Sequence, residues 1–185
     1  MTEQADLFVG ARRVFWGCFF LLLDFNLNFN STVTIPLLAN VIGWVFLWLG
    51  VDELARARPS LGLLKPFCIV LGACSLTQFA PAVDSLLPGW LNLLTAIMTL
   101  YTYFQLFTDL AAIAQENLWD EGLVKRLRTS RTLLVVCQTA LFCYDLLISF
   151  TALALLLMVV SLSVYVFLLV QLWRLSQELK KQQSL

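Results

Sequence analysis

Two aspartates sit in stretches otherwise too apolar to keep a charge: Asp24 in FFLLLDFNLNF and Asp145 in ALFCYDLLISF. An ionisable group at membrane depth is costly, so it faces a bundle interior or a water-filled cavity. Counted along ideal helices, Asp24 lies about 16 Å from Arg13, close to a bilayer midplane, and Asp145 lies about 21 Å from Arg131, in the outer half. No Lys or Arg stands at their depth to pair with them. Each therefore reads either as a proton-carrying group or as a neutral hydrogen-bond donor of structural value. Asn40 and Gln138 are polar companions that complete a candidate midplane site with them. Asp109, about 28 Å along its helix from Trp90, falls at an interface and is ordinary there.

Hydroxyl and amide groups extend the pattern. Thr95, Thr99, Thr102 and Asp109 share one helical stripe with Gln105 beside it, and Gln138, Asp145 and Ser149 share another. Asn40, Gly43 and Gly50 make a narrow face, and Gly72, Ala73, Cys74 and Ser75 allow close approach of a neighbour. Such stripes serve either as hydrogen-bonding glue between helices or as the lining of a site.

The elements that must position these residues follow from composition. The chain has 185 residues, 60% hydrophobic and 13% charged, with a mean hydropathy of +0.83. A water-soluble fold of this length could not hide so much apolar surface. The expected fold is all-α: one transmembrane domain over 1–185, a bundle of six transmembrane helices at about 11–27, 36–52, 64–80, 90–114, 132–150 and 152–173. The last two come from one apolar run of about 42 residues, roughly 63 Å as continuous helix, which must turn back near Ser149 to Thr151.

Charge placement tests the count independently. With six spans and both termini cytoplasmic, all 12 basic residues fall on one side and the outer loops have none. A five-span chain would put Arg174, Lys180 and Lys181 outside. On this reading Arg12 and Arg13 are a cytoplasmic anchor; no small-residue cleavage site follows them.

Three segments stay outside the helices. Asn26 to Thr34 is the most polar stretch, read as an outer loop or as a re-entrant one lining a cavity. The segment from Gln115 to Arg131 is read as a short interfacial helix, with Leu118, Leu123 and Leu127 on its apolar side, or as a solvated loop. The tail after Trp173 ends in SQELKKQQSL and is expected to fray. Pro36 and Asn40, repeated as Pro88 and Asn92, mark helix starts at one end of the bundle.

Much chemistry is excluded. The chain contains no histidine, which removes His-based triads, His-ligated haem and most zinc sites. Its five cysteines lie in apolar segments without CxxC spacing and read as reduced packing residues. Neither a P-loop, an HExxH, a GxSxG nor a GxGD motif is present, so no enzyme, metal or cofactor is expected. No basic tract is long enough for nucleic acid.

The segment Ile42 to Leu54, IGWVFLWLGVDEL, resembles one found in uncharacterised small integral membrane proteins of Firmicutes. Ile42, Gly43, Trp44 and Gly50 match that pattern, whereas Ala39 and Asn40 stand where proline and aspartate are expected. The resemblance covers about a fourteenth of the chain. It implies a multi-pass protein of a bacterial cytoplasmic membrane and carries no activity with it.

Function is then expected from the polar centre. One reading is a small solute or ion carrier with a midplane site of Asp24, Asn40, Gln138 and Asp145. The other is a non-catalytic membrane partner, or binding subunit, of a larger membrane complex. The bilayer is the expected surrounding, and a chain this small is expected to form a homodimer or to join another membrane protein.

Overall fold

The computed structural model describes residues 2–23, 26–29, 33–36, 39–77, 89–118, 120–142 and 151–183. Helix dominates them. The α-helices are α1 (Thr2–Leu22), α2 (Ala39–Leu54), α3 (Lys65–Thr77), α4 (Gly89–Asn117), α5 (Glu121–Phe142) and α6 (Thr151–Gln183). Three stretches are long and apolar enough to cross a membrane: Pro59–Leu76, Trp90–Asn117 and Leu156–Gln183. The six expected helices are all present as helix, with bounds that move.

Local chemistry sets those bounds. The chain leaves α2 after the apolar run meets Asp52 and Glu53, and Arg58 adopts an extended conformation (φ −136°, ψ 97°) ahead of Pro59, as a residue before proline must. A 3-10 helix (Pro59–Leu64) then feeds straight into α3, whose Pro66 sits in the first turn, where its missing N–H costs nothing. Asp120 caps α5: its Oδ1 accepts the Leu123 N–H at 3.1 Å, and Glu121 adds a second acid at that helix start.

Three expectations are corrected. Residues 121–131 are neither an interfacial helix nor a loop; they are the first turns of α5, because Leu123 and Leu127 are buried and Leu118 closes the turn against the core. The tail does not fray before Gln183: Leu175 and Leu179 continue the buried stripe of α6. Between α1 and α2 the backbone forms a β-hairpin, β1 (Asn26–Phe29) against β2 (Val33–Pro36), antiparallel with Asn26 opposite Pro36 and Phe29 opposite Val33. The fold is all-helical in class, with one small hairpin where the sequence reads a loop.

Neighbours in sequence are neighbours in space, and α6 returns to pack on α1, which closes the helices into a ring. Gly10 faces Gly50 and Gly17 faces Gly43, so α1 and α2 are antiparallel. Asp52 with Lys65 and Trp44 with Gly72 orient α3 against α2. Arg58 with Asp109 and Phe67 with Tyr101 do the same for α4, and Gln115 with Arg128 and Thr108 with Arg131 for α5. Phe15 meets Trp173, ring centroids 5.3 Å apart, so α6 is antiparallel to α1. The closed ring makes the remaining pair, α5 and α6, antiparallel too. Consequently the ion-paired Arg13, Arg56, Arg58 and Lys65 gather toward one end.

The α1–α2 contact explains its own glycines. A Cβ on Gly17 would lie 2.9 Å from both the Gly43 carbonyl oxygen and the Leu47 nitrogen, and one on Gly50 would lie 2.9 Å from the Gly10 carbonyl oxygen and the Val14 nitrogen. These are backbone atoms, so only glycine lets the helices come this close. At the centre of the ring Tyr103 is buried between Trp44 and Tyr165, at centroid distances of 6.4 and 6.2 Å. Outside, the picture inverts: Val45, Ile69, Ile97, Val136, Val159 and Val166 are all exposed. An apolar exterior around buried polar residues is the arrangement a lipid environment favours.

Candidate functional site

Asp24 and Asp145 lie outside the described residues. Of the other two expected site residues, Asn40 is half-buried in the first turn of α2, and Gln138 is half-buried in α5, away from it in the fold's sequence of contacts. Gln138 is the one that the fold joins to a cavity. Its Nε2 reaches the Tyr165 hydroxyl of α6 at 3.4 Å, a long hydrogen bond.

The cavity lies between α4 and α5 in the half of the bundle away from the basic residues. It has a volume of about 540 Å³, and Asn92, Thr95, Thr99, Gln138 and Thr139 give it amide and hydroxyl groups among Leu93, Ile97 and Leu100. Among the described residues, no charged side chain lines it. Two polar stripes that the sequence assigns to separate helices, Thr95 with Thr99 and Gln138, thus meet at one place. The volume suits a small ligand, and a few polar groups in an apolar wall fix orientation rather than supply binding energy in bulk.

The hydroxyls behave differently from interhelical glue. Thr95 donates to the Asn92 carbonyl at 2.9 Å, Thr102 to Met98 at 2.7 Å and Thr139 to Val135 at 2.8 Å. Each is satisfied within its own helix. Their acceptor lone pairs remain available, so toward the cavity Thr95 and Thr139 present acceptors, and Gln138 presents an amide.

A second polar cluster closes the basic end. Arg13 pairs with Glu53 at 2.8 Å, Arg56 with Asp6 at 3.0 Å and with Glu53 at 3.2 Å, and Lys65 with Asp52. The hydrogen bond it donates to Asp6, then the charges of Glu53 and Asp6, raise the Arg56 guanidinium above its ordinary value, so it stays a cation throughout. Arg58 bridges to Asp109 at 3.2 Å and to Glu116 at 2.6 Å. Gln105 donates to the second Asp109 oxygen at 2.9 Å. Asp109, expected to be an unremarkable interface residue, is 3% exposed and ties α4 to the 3-10 connection.

Sequence reasoning missed two buried polar side chains in α6. Ser161 and Gln171 are 8% and 2% exposed, and Ser161 Oγ and Gln171 Oε1 have no hydrogen-bond partner among the described residues. A signal existed. Ser161, Val164, Leu168, Gln171 and Leu175 recur at three- and four-residue steps, the buried face of α6. Comparison with known proteins adds nothing to this geometry: no protein-family model, curated protein or solved structure matches the chain.

Proposed function

We propose that this chain is a multi-pass membrane protein of six spans with both ends cytoplasmic, and that it takes a small uncharged solute into the cavity between α4 and α5 as a small-solute carrier. Three apolar helices of spanning length support the membrane reading. Basic residues gathered toward one end support six spans and the orientation. The resemblance of Ile42 to Gly50 supports a bacterial cytoplasmic membrane.

The observation that carries the solute reading is the meeting of Gln138 with Thr95, Thr99 and Asn92 around about 540 Å³ of space, with no charged group among the described lining residues. A polyol or small amide finds donors and acceptors among them, whereas an ion finds no counter-charge among them. The test is stopped-flow swelling of proteoliposomes with glycerol and urea as probes. Uptake above that of empty liposomes, lost in Gln138→Leu and Thr99→Val, is expected. Rates equal to those of empty liposomes, with no glycerol or urea binding by calorimetry, reject the reading.

One observation favours a second reading, a non-catalytic partner that holds solute without moving it. Tyr103, Leu106, Phe107 and Leu110 are fully or nearly fully buried along α4 between the cavity and the ion-paired end. Binding without uptake in the same pair of experiments would decide for this binding-subunit role.

A further inference from the structure

Eight of the 12 basic residues form two contrasting groups. Arg13, Arg56, Arg58 and Lys65 each have a carboxylate partner within the fold. Lys125, Arg126, Arg128 and Arg131, on the first turns of α5, have no carboxylate within ion-pair distance among the described residues. Arg128 donates instead to the neutral Gln115 amide oxygen at 2.7 Å. Arg131 donates to the Thr108 hydroxyl at 2.9 Å and lies over the Phe104 ring, 4.6 Å from its centroid. The first turns of α5 thus gather four cations that have no ion pair among the described residues.

Next to that charge lies a groove of about 1030 Å³. Lys125 and Arg128 stand one turn apart on its wall, with Thr129 and Thr132 along the same face of α5 and Glu121 as the one acid of the lining. Leu133 forms its far end. Leu133 and, one turn on, Val136 are exposed, so the groove opens onto the apolar exterior. Its two ends differ in kind: cationic near the bundle's basic end, greasy where the exposed belt begins.

We infer that this groove holds an anionic phospholipid of the cytoplasmic leaflet, its phosphate between Lys125 and Arg128 and its acyl chains along Leu133 and Val136. Charge complementarity selects the headgroup: Lys125 and Arg128 against Glu121 leave the described lining net positive, which favours a headgroup of net negative charge over one whose ammonium cancels its phosphate. Continuity with the exposed apolar face selects a lipid over free phosphate, which has no use for the greasy end. The inference rests on the membrane reading above but not on the solute cavity, which lies in the other half of the bundle.

The experiment is native mass spectrometry of the full chain in detergent, titrated with phosphatidylglycerol or phosphatidylcholine of identical acyl chains. Selective retention of phosphatidylglycerol is expected. The Lys125→Gln, Arg128→Gln double variant should weaken it on the order of thirty-fold, whereas Lys180→Gln with Lys181→Gln, the same charge loss on α6, should leave it unchanged. A Lys125→Arg, Arg128→Lys swap keeps both charges and should retain the lipid, which separates charge from folding. Equal retention of both lipids, equal loss in the α6 control, or displacement by excess inorganic phosphate overturns the inference. Release of the chain from native membranes by alkaline carbonate would instead reject the six-span reading itself.

Discussion

Asp109 shows how much one residue's environment decides. Its carboxyl is nearly sealed and answered by Arg58 on one oxygen and Gln105 on the other, while Glu116 reaches the same guanidinium from a side chain 61% exposed. Removing a buried partner strands the other charge, and removing an exposed one lets water take over. Asp109→Asn is therefore expected to destabilise the bundle by about 2 kcal/mol, against under roughly 0.5 kcal/mol for Glu116→Gln. Unfolding titrations in mixed micelles would show it, and equal effects would mean that burial does not govern the pair. The sequence read Asp109 as an ordinary interface residue and could not name its partner. Arg58 lies 51 positions away, and only the packing of the 3-10 connection on α4 brings it there. Gln138 was legible as one of several polar groups on a helical face; its Tyr165 contact, 27 positions on, was not.

Between α1 and α2 the important length is seven residues. Gly10 and Gly17 answer Gly50 and Gly43 on antiparallel helices, and each helix fills the spaces beside its glycines with Val14, Leu47 or Leu54. Gly17→Ala and Gly50→Ala press a methyl onto the partner's backbone and are each expected to cost roughly 1 to 3 kcal/mol. At Gly62 the nearest atom, the Ala55 Cβ, is 3.9 Å away, so Gly62→Ala should stay within about 0.5 kcal/mol of the parent. Thermal unfolding in detergent checks the order, and a Gly62 effect as large as the other two would refute the close-approach argument. Gly43 and Gly50 were readable as a narrow face. Gly10 and Gly17 were not, because a helix expected to start at residue 11 splits the repeat that a helix starting at Thr2 displays. The same cause hid the continuation of α6: hydropathy ends at Trp173, but the spacing of Leu175 and Leu179 does not.

Across the whole molecule the order of helices around the ring is the order in the chain, and an even number of antiparallel helices returns the last end to the side of the first. That arrangement predicts that reporters fused to the N- and C-termini give the same cytoplasmic signal: an active phosphatase at either end would contradict it. Helix number was legible, since it follows from hydropathy. The closure of α6 on α1 was not, because it depends on shape rather than pattern: Phe15 against Trp173, with Arg12 and Phe8 lining one small cavity with Ser176 and Lys180.

That seam also sets an order of events during synthesis. The α1–α2 pair has all its glycines in the first 54 residues, so it can lock as soon as those residues have left the ribosome. The other flank of α1 has to wait for Trp173, well over a hundred codons later. At ordinary translation rates of about 5 to 20 residues per second the wait lasts several seconds. For that interval the nascent protein is an open horseshoe, and whatever shields Phe15 then, lipid or the insertion machinery, must give way to the last helix to arrive.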